Sequence, residues 1–346
     1  MYFNWSETIN TNEIDIISNI IKNGEIIVFP TETVYGIGAN ALDEEAVKKI
    51  FVAKGRPSDN PLIVHLDSKE KIKEIAKNIT PIEQRLIDSL MPGPFTIILK
   101  KNSNIPDIVS GGLDTIGIRV PRNKIAQSII KSCGVPIAAP SANISGKPSG
   151  TTIEEIREEL EKKVSAIVDG GKTQIGLEST VVKVVNEMPV ILRPGAVTEN
   201  DIIKLVGKCK IDNNVFKKID KNKKVESPGM KYRHYAPETK CKLIYFLNDQ
   251  EQILNINTIV NDYNGDVVIL GFEEHKEEIM VSNQRFISLG KKNDFETIAR
   301  RIYSSLRKAD TMKPQIIIIE GVEKKGLGVA IMNRLLRTCE YDILEG

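Results

Sequence analysis

The chain has little of what metal and disulfide chemistry use. Four cysteines (Cys133, Cys209, Cys241 and Cys339) are scattered through 346 residues with no CxxC pair, and there are three histidines. A disulfide framework and a zinc site of the usual spacing are both excluded, leaving four reduced thiols. Net charge is also nearly absent: 48 Lys and Arg against 46 Asp and Glu give +2, which argues against a uniformly basic nucleic-acid binder. Long apolar runs are missing. The longest are short bursts such as Ile316-Ile317-Ile318-Ile319, far below the ~18 residues of a membrane span. Residues 1–14 carry Glu7 and Glu13 but no Lys or Arg, unlike a secretory leader. The expectation is a soluble cytoplasmic protein. What remains, 41% hydrophobic and 27% charged residues, is ordinary globular composition, and the length suggests two domains at roughly 150 residues each.

Helical and strand periodicities alternate. Helices are expected at Glu13–Lys22, from the Asp43 cap to about Ala53, and at Ser68–Ala76, Pro81–Leu90, Lys124–Lys131, Ile153–Glu161 and Glu199–Val206. Strands are expected at Glu25–Phe29, Pro61–Leu66, Phe95–Leu99, Thr115–Val120, Pro136–Ala139, Ala166–Asp169, Thr180–Val185 and Val190–Arg193, which together make a mixed α/β sheet. At Gly207 the texture changes: 208–224 holds seven lysines against two aspartates, and Ser227-Pro228-Gly229 follows. Beyond it, strands and helices alternate again in the manner of a small parallel, Rossmann-like sheet. The expected division is a domain over 1–206, a linker over 207–239 and a second domain over 240–346.

Two phosphate-binding patterns nearly form. Gly36 to Ala41 fits GxGxxA, but Pro30 to Tyr35 separate it from the strand that should precede it directly. Gly171-Lys172-Thr173 resembles the end of a P-loop with Ala166 in place of the first glycine. Other segments are more informative. Pro30-Thr31-Glu32-Thr33-Val34-Tyr35 sets hydroxyls after a strand end, where α/β sheets place ligands. Lys54-Gly55-Arg56 puts two cations at a helix end, where the macrodipole alone would favour them or an anion would use them. Arg119 stands inside an apolar strand and needs an anionic partner, either a structural carboxylate or a ligand. His65, on a neighbouring strand, fits a satisfied core histidine. Ala138 to Gly146 and Gly176 to Val182 add small and hydroxylated residues. With no cysteine nucleophile or metal-ligand cluster among them, this inventory fits the positioning of anionic reactants rather than covalent catalysis.

In order, PTETVYGIG (30–38), KGRPSDNPL (54–62), MPGPFT (91–96), TIGIRVP (115–121), SANISG (141–146), LESTVV (177–182) and RPG (193–195) resemble the YrdC-like family of L-threonylcarbamoyladenylate synthases. Residues 227–237, SPGMKYRHYAP, mark its longer form with an accessory domain. The resemblance implies a twisted mixed-sheet α/β N-domain with a large cavity, plus a small Rossmann-like parallel α/β C-domain. It implies that L-threonine, bicarbonate or CO2 and ATP become threonylcarbamoyl-AMP and pyrophosphate for tRNA modification, with a downstream tRNA threonylcarbamoyltransferase and tRNA among the expected partners and no membrane. Carried over by position, Thr33, His65, Arg119, the Ala139 backbone and Ser179 hold threonine. Arg56, Asn60, Thr115, Ser141, Ser149 and Arg193 line the ATP side, with Lys54 and Asn143 beside the bicarbonate or phosphates; Lys54 and Arg56 serve the reacting groups. Ser227 to Pro237 is expected to close over the cavity, with Tyr235 against the nucleotide. Mg2+ is expected as an ion carried by ATP, with no metal-binding residue of its own. Where many relatives carry a histidine after GIRVP, this chain has Asn123. The competing readings are the carbamoyltransferase of hydrogenase maturation and a non-catalytic RNA-binding module.

Overall fold

The computed structural model describes residues 1–218, 225–229, 234–264 and 266–346. The chain divides into two compact units, Met1–Ser145 with Ser149–Tyr232, and Gly146–Pro148 with Arg233–Gly346. Ser227-Pro228-Gly229 therefore stays with the first unit, and His234 to Pro237 belong to the second together with Gly146–Pro148.

The strands of the first unit are β1 (Tyr2–Asn4), β2 (Ile27–Phe29), β3 (Gly36–Asn40), β4 (Ile63–His65), β5 (Ala76–Lys77), β6 (Phe95–Lys101), β7 (Thr115–Arg119), β8 (Ile137–Ala138), β9 (Ala166–Asp169), β10 (Thr180–Val185), β11 (Met188–Arg193) and β12 (Lys210–Ile211). They form one mixed sheet in the order β1-β9-β2-β3-β8-β4-β7-β6-β10-β11-β12, with β5 on β6. Its helices are α1 (Thr11–Lys22), α2 (Glu44–Lys54), α3 (Ile72–Ile75), α4 (Pro81–Leu90), α5 (Asp107–Ser110), α6 (Lys124–Cys133), α7 (Ile153–Leu160) and α8 (Glu199–Val206). Local sequence sets their ends: Asp43 accepts the backbone N–H groups of Glu45 and Ala46, and Gly55 closes α2 in the left-handed conformation. The sheet buries both faces. Along β2, Val28 joins one apolar cluster with Tyr35, Ile37 and Val64. Ile27 and Phe29 point the other way, toward Trp5, Ile17 and Ile129.

Three expectations change. Gly36 to Asn40, read as a near-miss phosphate motif, is strand β3, antiparallel to β2. Its glycines serve packing, since a Cβ on Gly38 would lie 2.6 Å from the Phe29 ring and 2.8 Å from Ile137. The helix expected over Ser68–Ala76 shrinks to Ile72–Ile75, because Ala76 and Lys77 pair with Lys101 and Lys100 of β6. Strands β1, β5 and β12 are two or three residues long, too short to register as a pattern.

The second unit carries β13 (Cys241–Tyr245), β14 (Val267–Phe272), β15 (Phe286–Gly290), β16 (Ile316–Glu320) and β17 (Ile343–Glu345), with α9 (Asp249–Asp262), α10 (Phe295–Thr311) and α11 (Leu327–Thr338). The sheet order is β15-β14-β16-β13-β17, and each pairing is parallel, as the Rossmann-like reading expected. The four isoleucines of β16 are buried, as both-face coverage by helices requires. Glu320, at the end of that strand, is fully buried and accepts bonds from Gln252 (2.6 Å), the Phe272 N–H (2.7 Å) and His275 (2.6 Å). Burial opposes a charge on His275, but Glu320 and Asp249 outweigh it and raise the imidazole above its ordinary value.

Candidate active site

Register and side-chain bonds bring four of the expected threonine-side residues together, Thr33, His65, Arg119 and Ala139, while Ser179 bonds to Thr96 and Arg193. His65 of β4 lies opposite Arg119 of β7, and on its other side opposite Ile137 of β8; Ala139 follows directly, its N–H given to Ile63 O at 3.0 Å. That N–H is therefore already committed within the sheet. Arg119 is 4% exposed. Its Nη1 donates to Thr33 Oγ1 (2.9 Å) and its Nε to Gly93 O (3.3 Å), while Nη2 lies 2.7 Å from Glu32 Oε1. Of the two partners the sequence left open, the structure thus supplies the internal carboxylate. Burial would raise Glu32, but the Arg119 charge and hydrogen bond outweigh it and hold the carboxyl below its usual range. Burial, with the Arg119 charge nearby, pushes His65 down to about 3, so its imidazole is neutral near pH 7, with Nδ1 3.2 Å from Ile63 O.

Lys54 is 1% exposed at the end of α2. Its ammonium donates to Ser141 O (2.6 Å) and Asn143 O (2.5 Å), with Asn143 Oδ1 at 3.5 Å. Ser145 N–H donates back to Lys54 O at 2.8 Å, and Glu159 takes the Ile144 N–H at 2.7 Å. Lys54 is the clasp of the 141–145 loop. Burial, with the Arg56 charge beside it, lowers the ammonium well below its ordinary value. Within the loop, Ser141 Oγ donates to Asn143 Oδ1 (2.6 Å), and Asn143 Nδ2 to Ile144 O (2.7 Å).

On the expected ATP side, Arg56 Nη2 donates to Pro61 O (3.1 Å) and contacts Asn60 O at 3.4 Å. Asn60 is 1% exposed, and among the described residues neither Nδ2 nor Oδ1 of its amide has a hydrogen-bond partner. Ser149 donates to Glu178 Oε1 at 2.6 Å. Arg193 donates to Ser179 O from Nε (3.1 Å) and Nη2 (3.0 Å), and from Nη1 to Pro228 O (3.3 Å). Thr115 Oγ1 donates to Glu226 Oε1 (3.0 Å), a carboxylate also held by Lys183 at 2.6 Å. Tyr235 alone among the expected site residues lies in the second unit. It stacks on Tyr303 with ring centroids 5.4 Å apart, and the Arg334 guanidinium sits 5.4 Å from its ring.

Sequence reasoning passed over four acids and hydroxyls that hold these groups: Glu32, Thr96, Glu178 and Glu226. Glu32 and Glu178 had a signal, since each is a carboxylate inside an otherwise apolar and hydroxylated motif. Asn123 has a job of its own. Its side chain caps α6 by accepting the Ala126 N–H (3.1 Å), and its backbone N–H donates to Glu32 Oε2 (3.3 Å). Glu32 and Asn123 also line a cleft of about 410 Å³ with Trp5, Arg122 and Gln174.

A family model described as telomere recombination matches residues 19–195, and one described as the C-terminal domain of threonylcarbamoyl-AMP synthase matches 197–339. The threonylcarbamoyl-AMP synthase of Pyrococcus abyssi is 41% identical over 99% of this chain and 98% of its own length. That of Bacillus subtilis is 38% identical over 96% and 95%. Among solved structures, Pyrococcus abyssi Sua5 complexed with L-threonine matches with a TM-score of 0.92 at 40% identity, covering 100% of this chain and 99% of that one.

Proposed function

This chain belongs to the Sua5/YrdC family of threonylcarbamoyl-AMP synthases, in the long form with the C-terminal domain, and from that premise we propose how it joins L-threonine, bicarbonate or CO2, and ATP. The threonine amine takes up CO2 to give a carbamate. A carbamate oxygen then attacks the α-phosphorus of ATP, forming threonylcarbamoyl-AMP and releasing pyrophosphate. Neither step needs a bond to the protein. What the reactants need is orientation and relief of mutual repulsion among a carboxylate, a carbamate and a triphosphate.

Four buried cations in one unit carry this reading: Lys54, Arg56, Arg119 and Arg193, none more than 9% exposed. Arg119, with Thr33, His65, Ala139 O and Ser179, takes the threonine. Its fork is already oriented by Thr33, Gly93 and Glu32, so an incoming carboxylate meets a guanidinium that does not have to reorganise. Neutral His65 can accept or donate a hydrogen bond without adding charge. Arg56, Asn60, Thr115, Ser141, Ser149 and Arg193 take ATP, with Asn143 beside the phosphates. The unpartnered Asn60 amide supports this side, because a desolvated donor and acceptor left unmade cost about 1–3 kcal/mol each and a nucleotide's polar edge would satisfy both. Lys54 supports the phosphates through the 141–145 loop it clasps. Mg2+ enters with the triphosphate. Among the described residues no group of three or more His, Cys, Asp or Glu side chains could hold a metal ion, and no step is assigned to Mg2+.

Thr115 and Arg193 each spend a hydrogen bond on the 226–228 segment, which supports its role as a cover over the nucleotide; the expected continuation through 230–233 lies outside the described residues. Glu226→Ala is expected to raise the KM for ATP severalfold and leave that for threonine unchanged, read from initial rates. The product feeds a tRNA threonylcarbamoyltransferase in the cytoplasm. No helix among the described residues is long and apolar enough to cross a membrane. The deciding experiment supplies ATP, L-threonine and carbon-labelled bicarbonate and follows the adenylate by mass. One labelled carbon in threonylcarbamoyl-AMP is expected. Product formed from carbamoyl phosphate instead would point to the maturation carbamoyltransferase, and salt-sensitive RNA binding without turnover to the RNA-binding module.

A further inference from the structure

Thr96 has no role in the scheme above. It sits in β6, fully buried, and the parallel register of Thr180 against Phe95 brings it beside Ser179. The two hydroxyl oxygens are 2.7 Å apart. Ser179, 1% exposed, also accepts from Arg193 Nη2 at its Oγ (3.1 Å), while its carbonyl takes two further guanidinium bonds.

Each hydroxyl has one hydrogen and two lone pairs, and a guanidinium only donates. Arg193 therefore fills one lone pair of Ser179. Two hydroxyl hydrogens then share a single hydroxyl–hydroxyl contact, and the described residues offer neither of them a second acceptor. One hydrogen is left over. If Ser179 donates, the spare hydrogen is on Thr96, 0% exposed within β6, where an unmade bond is costly and an acceptor bound at Ser179 does not relieve it. If Thr96 donates, both lone pairs of Ser179 are filled and the Ser179 hydrogen is available to a ligand oxygen. A bound acceptor resolves the deficit only in the second arrangement.

We propose that Thr96 is a positioning residue that makes Ser179 an obligate hydrogen-bond donor, so that Ser179 receives an anionic carboxylate oxygen of threonine and not its amine. This rests on the reading that Ser179 contacts threonine. The same relay joins that contact to Arg193 on the ATP side, so one fixed network of hydrogen bonds orients both substrates.

The test compares Thr96→Val, Thr96→Ser and Ser179→Ala by pyrophosphate release at varied threonine and varied ATP. Thr96→Val, which keeps the shape and strand preference, is expected to raise the threonine KM about tenfold, the scale of one hydrogen bond to a charged group. The KM for ATP and kcat stay within about twofold. Thr96→Ser restores the original value. Thr96→Val adds nothing further in a Ser179→Ala background, because the two act through one bond. Should Thr96→Val not fold, Thr96→Ala gives the same comparison. A Thr96 variant with lowered thermal stability but unchanged threonine KM, while Ser179→Ala raises it, overturns the positioning role alone. An unchanged threonine KM in Ser179→Ala removes the reading beneath it as well.

Discussion

Arg119 shows how one side chain carries both stability and chemistry. Its partner Glu32 is as buried as it is, so Arg119→Ala would strand a carboxylate and cost about 3–5 kcal/mol in folding. Arg119→Lys is the cleaner probe. The charge facing Glu32 remains while the planar fork is lost, and the threonine KM is expected to rise at least about tenfold with little change in Tm. Isothermal titration with threonine checks this, and an unchanged affinity would remove Arg119 from the carboxylate. His65 gives a prediction in pH. Its folded value of about 3 lies below the ordinary imidazole value of 6.5, so the unfolded chain binds the extra proton first. The stabilisation is complete above about pH 6.5 and is lost as pH falls toward 3. Its ring proton resonance should be flat between pH 5 and 8; a midpoint near 6.5 would contradict the burial argument. The sequence stated that Arg119 needs an anion and offered two kinds. Only three-dimensional placement could choose Glu32, because the β2–β3 connection and β7 are more than eighty residues apart.

At the scale of elements, helix ends were legible and short strands were not. The Asp43 cap, the Pro81 start and the close of α8 before Gly207 appear where cap chemistry puts them. Strand β3 was hidden because its glycines look like a phosphate turn, whereas they are there to admit Phe29 and Ile137. The short edge strands were hidden because two or three residues carry no period, and tertiary pairing decides them. Asn123 makes sense at this scale, because its side chain caps α6. Asn123→Ala is expected to cost about 1 kcal/mol through loss of the cap, measured by urea denaturation. Threonine affinity should stay close to the original, because the backbone N–H that reaches Glu32 survives the change. A large loss of threonine binding with unchanged stability would show that the side chain acts on the site directly.

Across the whole molecule, composition said little about function and the ordered motifs said most. A net charge of +2 is neutral between many activities; what matters is that four cations are buried in the first unit and fixed there by carbonyls, hydroxyls and carboxylates. The change in texture after Gly207 runs through one stretch of sequence, yet 227–229 falls in one unit and 234–237 in the other. The central claim is that these fixed cations gather threonine, carbonate carbon and ATP for a reaction with no protein-bound intermediate. Pyrophosphate release from ATP and bicarbonate, followed with and without L-threonine, tests it most directly. The account predicts release that depends on threonine and saturates with it, and equal release in its absence would contradict the account.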